Sequence, residues 1–256
     1  MSPRALGVLL LGLASSPTAF AAEDPMAAAP LNVSFAGPGG ASLKGYLAEP
    51  VGQGAFPAVL MIHEWWGLNR DIAALADAMA AHGYVVLAAD SFRGSVARVS
   101  ADAMKLVSGT PASQVAGDLD AALAHLRSRP NVNPDKVASL GFCFGGSQSM
   151  HMGTRRPELA AVVILYGGGP ITDAQKLGSL PSAGPVLGIY GEQDGSIPVS
   201  QVRAFEQAMK DRGVTSTVTI YPGVGHAFVK SSTYASGGAP QQAWEQVVGF
   251  LDRTLK

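Results

Sequence analysis

The sequence predicts an α/β fold, a mostly parallel sheet with helices on both faces, and three observations lead there. Short apolar runs of strand length alternate with stretches of helical period along the whole chain. Of 256 residues, 47% are hydrophobic, enough for one large core. The third observation is local. An apolar run over residues 136–140 leads into Gly141-Phe142-Cys143-Phe144-Gly145-Gly146, and then into a stretch able to start a helix at Ser147.

Each element has its own signal. Residues 31–35 and 42–48 read as strands, joined by a turn at Gly37-Pro38-Gly39-Gly40. That glycine cluster lacks a following Gly-Lys-Ser/Thr and is a weak phosphate-binding candidate. Residues 57–63 form a buried strand ending in Glu64-Trp65-Trp66-Gly67. Asn69 or Asp71 can cap a helix over 72–82, where Ile72, Leu75, Ala76 and Met79 share one face, and Gly83 ends it. Residues 84–89 are a strand closing on Asp90-Ser91-Phe92-Arg93-Gly94, and 95–110 lack a regular period. A helix over 114–127 turns Val115, Leu119, Ala122 and Leu126 inward until Pro130 and Pro134 forbid its continuation. Beyond the Gly-rich turn, strands are expected over 159–166, 186–190 and 215–221. Helices are expected over 199–212 and 243–255, with loop over 172–185. No repeat, low-complexity stretch or linker intervenes, so residues 22–256 read as one domain.

The first residues read differently. Met1-Ser2-Pro3-Arg4 is a short positive start, residues 5–14 are apolar but too few to span a bilayer, and Ala19-Phe20-Ala21 offers small residues for cleavage. Residues 1–21 therefore read as a signal peptide, and the mature chain as periplasmic or secreted. The net charge of -1 and the lack of a basic tract argue against nucleic-acid binding, and no later run is suited to a membrane. A monomer is expected. The single cysteine, Cys143, excludes an internal disulfide, and a free thiol in an exported chain is a liability unless buried or used.

Strand, Gly-x-nucleophile-x-Gly, helix is the nucleophile elbow of the α/β hydrolases, with Cys143 where most carry Ser. The sharp turn needs small neighbours, and the helix N-terminus favours a thiolate. Asp194 and His226 each follow a strand too, and in a parallel sheet such residues share one crevice. The order Cys143, Asp194, His226 is the hydrolase order of nucleophile, acid and base. Singly, each residue has a structural reading: a buried thiol, a turn aspartate, a loop histidine. Jointly those readings are hard to sustain. The backbone N–H groups of Phe144 and Trp65 are the expected oxyanion donors, and Trp65 and Trp66 either wall the pocket or pack the core. His82, His125 and His151 read as surface or packing residues. His63-Glu64-Trp65-Trp66-Gly67 fails the H-E-x-x-H zinc pattern, so no metal is expected.

From about Val33 to Leu255 the chain resembles the dienelactone hydrolase family. The carriers are His63-Glu64-Trp65-Trp66-Gly67, the elbow at Cys143, Tyr166-Gly167, Gly191-Glu192-Gln193-Asp194 and Gly225-His226-Ala227-Phe228. The resemblance implies a Cys-His-Asp enzyme that opens an enol-lactone through an acyl-enzyme, without a cofactor. It implies that Glu64 pairs with the resting thiol and helps deprotonate it once substrate binds. It also implies arginines that bind a substrate carboxylate. Here Arg93 and Lys230 stand nearest those positions, and Ala227 and Lys230 depart from the family's Ser and Arg. The partner is thus a small ester or lactone. A broader carboxylesterase or thioesterase, and a non-catalytic binding protein on the same fold, are the competing readings. The export signal predicts a mature N-terminus at Ala22, which intact-mass spectrometry of the native product checks; Met1 retained on a cytoplasmic product would refute it.

Overall fold

A computed structural model describes residues 24–180 and 182–256; the expected signal peptide, residues 1–21, lies outside them. Eight strands form one sheet in the order β1-β2-β4-β3-β5-β6-β7-β8. These are β1 (Val33–Ala36), β2 (Ser42–Ala48), β3 (Phe56–Ile62), β4 (Val85–Ala89), β5 (Val132–Phe142), β6 (Ala161–Leu165), β7 (Val186–Gly191) and β8 (Ser216–Tyr221). β1 and β2 pair antiparallel with each other, and β2 with β4; every pairing from β4 through β8 is parallel. Parallel strands covered on both faces need continuous apolar runs, and β4 and β6 are buried at every residue. The edge strand β1 instead has a single buried residue, Phe35.

Among the described residues, six α-helices flank the sheet: α1 (Arg70–Ala81), α2 (Ser100–Gly109), α3 (Ala112–Arg127), α4 (Phe144–Gly153), α5 (Val199–Asp211) and α6 (Gly238–Leu255). Asn69 caps α1 by accepting from the Ile72 N–H at 3.2 Å, and the expected apolar face is buried. α2 was not expected, because it has no apolar stripe. It buries just Ala103, and Met104 lies in solvent. α6 begins ahead of its expected start at residue 243, with Pro240 in its first turn, where a missing N–H costs nothing. A short 3-10 turn, Ala174–Leu177, sits in the expected 172–185 loop.

From β3 the chain first moves outward to β4, then returns to β5 on the other side of β3. The C-terminal ends of β3 and β5 therefore border the crevice where such a sheet binds ligands. There the backbones pack closely. A Cβ on Gly141 would lie 1.9 Å from the Gly145 carbonyl oxygen, and one on Gly145 would lie 2.1 Å from that of Ile62. Gly141→Ala should lower stability by at least about 1–3 kcal/mol, since backbone must move to admit it. Gly109→Ala, with open space around it, is the matched control. Thermal melts of the two variants check this, and equal Tm values would refute it.

Candidate active site

The site is assembled from four strand ends. After β5, Cys143 takes φ 52° and ψ −111°, a conformation that costs a non-glycine residue on the order of 1–3 kcal/mol. It is held there by its N–H to the Leu165 carbonyl at 3.0 Å and by Ser147 N–H to its own carbonyl at 3.1 Å. α4 starts at the next residue.

After β7, Asp194 is buried, and both carboxylate oxygens are occupied. Oδ1 accepts from the N–H of Ser196 at 2.9 Å and of Ile197 at 3.1 Å; Oδ2 lies 2.6 Å from His226 Nδ1. The loops after β7 and β8 are laced together by Glu192 N–H to the Tyr221 carbonyl and Gln193 N–H to the Val224 carbonyl, each at 2.9 Å. That lacing brings an aspartate and a histidine 32 residues apart into contact. The carboxylate holds the proton on Nδ1 and leaves Nε2 as the imidazole's free base. Tyr166, with φ 40°, sets its ring edge-on to His226 at 5.3 Å, and its hydroxyl donates to the Val229 carbonyl at 3.0 Å.

After β3 come Glu64, Trp65 and Trp66. Together with Cys143, Phe144, His226 and Lys230 they line a cavity of about 490 Å³, which Val107, Ser196 and Ile197 help to close. Trp65 and Trp66 meet edge-to-face at 5.0 Å. The N–H groups of Phe144 and Trp65 are both directed at the Cys143 sulfur.

The electrostatics set the resting state. Burial, then the Glu64 charge, push the Cys143 thiol up to about 12, against the pull of the two N–H groups. The helix N-terminus does not win here, and the resting group is a thiol. Burial pushes Glu64 up to about 7; Lys230 opposes this, Asp71 adds to it, and the Trp66 indole N–H opposes it. Glu64 Oε1 is buried and makes no hydrogen bond.

Of the expected residues, Arg93 alone stands apart. It does not line the cavity. Its fork grips Asp118 of α3 through Nε and Nη2, each at 2.9 Å, from a turn that Asp90 closes by accepting from the Phe92 and Gly94 N–H groups. Asp118 is nearly fully buried, so it cannot release its cation cheaply. Arg93 thus clamps the turn after β4 to α3, away from the cavity lining. Sequence reasoning missed Val107, because α2 has no period to betray it. It also gave no role to Tyr166 or to His63, whose partners lie far along the chain.

The chain matches the model of the dienelactone hydrolase family over residues 43–255. It is 31% identical over 235 residues to a Synechocystis protein provisionally named a carboxymethylenebutenolidase, covering 84% of this chain and 93% of that one. A Klebsiella pneumoniae structure, described provisionally as a dienelactone hydrolase, superposes with a TM-score of 0.74 at 26% identity, over 86% of this chain and 98% of its own. A dienelactone hydrolase-like promiscuous phosphotriesterase from metagenomic libraries shares the fold at a TM-score of 0.76 and 22% identity, over 88% and 98% of the two chains.

The charge at Glu64 makes the thiol testable. Iodoacetamide should alkylate Cys143 slowly at neutral pH and faster as pH rises, without a plateau by about pH 9. Glu64→Gln removes the anion that pushes the thiol up, so alkylation at pH 8 should quicken severalfold to about tenfold. Below about pH 7 the native carboxyl is itself protonated, and the difference should shrink. Identical pH profiles for both proteins would show that Glu64 does not act on the thiol.

Proposed function

The chain belongs to the dienelactone hydrolase family and is a carboxylic ester hydrolase, and on that premise we propose that it opens a small lactone or enol ester through an acyl-enzyme on Cys143. The observation that carries this reading is the convergence of Cys143 and His226 on one cavity, with Asp194 bonded behind the imidazole.

The substrate carbonyl oxygen lies between the Trp65 and Phe144 N–H groups, which in a dry site favour the negative charge it acquires; one such donor contributes roughly a hundredfold to a thousandfold in rate. The Cys143 proton passes to His226 Nε2, or first to Glu64, as the sulfur attacks the carbonyl carbon. The tetrahedral intermediate collapses and expels the enolate or alkoxide, which takes the proton from His226. For a lactone, the ring opens and both halves stay on the enzyme. Water then gives a proton to Nε2, attacks the thioester and releases the acid, and the thiol recovers its proton. Asp194 keeps Nδ1 protonated throughout and stabilises the imidazolium. Glu64 does two jobs. It keeps the resting thiol protonated and so less open to oxidation, and it helps take the proton once substrate binds.

Export of the mature chain belongs to the same proposal and rests on residues 1–21. A broader esterase is favoured over a strict dienelactone specificity by one observation: Arg93 is bound to Asp118, which leaves Lys230 as the cation on the cavity lining.

Cys143→Ala should lose ester hydrolysis entirely while melting like the wild type; retained turnover would end the covalent mechanism. Lys230→Met should cost an anionic lactone roughly tenfold to a hundredfold in kcat/KM relative to a matched neutral ester, the worth of one charge-assisted hydrogen bond. Arg93→Met should leave that ratio unchanged. A shift of the ratio in Arg93→Met, with none in Lys230→Met, would reverse the assignment.

A further inference from the structure

We propose that His63 is a positioning residue that aims the Trp65 N–H at the reacting carbonyl, an inference that rests on the acyl-enzyme reading above. His63 follows the last residue of β3 and is fully buried. Its Nδ1 lies 2.6 Å from the Glu64 carbonyl oxygen, and its Nε2 lies 3.1 Å from the Ser91 backbone nitrogen. A carbonyl oxygen can only accept, so Nδ1 carries the proton. A backbone N–H can only donate, so Nε2 is bare. The two contacts demand the same neutral tautomer. Protonating Nε2 would set two donors against each other in a buried site.

The Glu64 carbonyl and the Trp65 N–H belong to one peptide unit. In a planar trans peptide they point in opposite directions. Pinning the carbonyl therefore aims the N–H, and that N–H is directed at the Cys143 sulfur. The same ring lies nearly parallel to Phe144, 19° off at 6.0 Å, and tilts against Phe92 at 5.0 Å. One imidazole thus touches both residues whose N–H groups converge on the sulfur: Trp65 through its peptide, Phe144 through its side chain. Through Ser91 it also ties the loop after β3 to the turn after β4, which Asp90 closes.

An interior histidine that merely fills space would need only its ring. His63→Phe keeps an aromatic ring and loses the donor; His63→Gln loses the donor at the Nδ1 position; His63→Asn keeps an N–H close to it. For an ester that reacts through Cys143, Phe and Gln should lower kcat about tenfold to a hundredfold, with KM within about twofold, and Asn should recover most of the loss. A trifluoromethyl ketone, whose carbonyl carbon bonds to the sulfur and leaves an oxyanion on its oxygen, should lose affinity in the same proportion. Equal activity in the Phe variant, or equal losses in Asn and Gln with a parallel drop in Tm, would reduce His63 to packing. The wild type offers a check that needs neither variant nor turnover. Nitrogen-15 spectra of the imidazoles at neutral pH should show His63 as the neutral Nδ1–H tautomer. An Nε2–H or doubly protonated ring would overturn the proposal even if Cys143 proved to be the nucleophile, whereas full activity in Cys143→Ala would overturn the mechanism and leave the tautomer as found.

Discussion

Close backbone approach between the end of β3, the turn at Cys143 and the start of α4 is the constraint on which the rest depends. Gly141, Gly145 and Gly146 each sit where a side chain would strike main-chain atoms of the turn, of β3 or of the residues following β6. That contact forces Cys143 into a left-handed conformation which an ordinary side chain resists. It also brings the N–H of Phe144 and the loop carrying Trp65 within reach of one sulfur. The strain is local, and it is offset by the buried apolar strands around it, Val59–Ile62 and Val162–Leu165 among them.

Opposing charge is then arranged around the sulfur. The N–H groups of Phe144 and Trp65 favour negative charge there, and Glu64 opposes it. Burial is the larger opposing effect, and with Glu64 it keeps the thiol protonated. The balance is adjustable because burial lifts Glu64 to about 7, with Lys230 pulling it down and Asp71 pushing it up. A group that titrates close to working pH can answer a small change around it, which a carboxylate in water cannot.

Much of this is legible in the sequence. The strand runs at β3, β4 and β7 declare themselves by their apolar residues, α1 by its face and its Asn69 cap, and the turn at Cys143 by its glycines. Cys143, Asp194 and His226 could be brought together because parallel strands bring their C-terminal ends together. What escaped depends on pairings that no local period records. Arg93 looked available until Asp118, 25 residues on, claimed its fork. His63 read as one more letter of a motif until Ser91, 28 residues away, fixed its tautomer. α2 escaped for the opposite reason: it is a helix that buries almost nothing, and burial is what leaves a trace in sequence.

That last property bears on how the enzyme can change. Val107 is the part of α2 that lines the cavity, and around it Val99 and Met104 lie in solvent. Substitutions in this helix can reshape the cavity wall at little expense to the core, where a single lost methylene is felt. Substrate scope and folding stability are therefore encoded in different residues. The cavity wall at α2 can therefore vary while the elbow glycines stay unchanged.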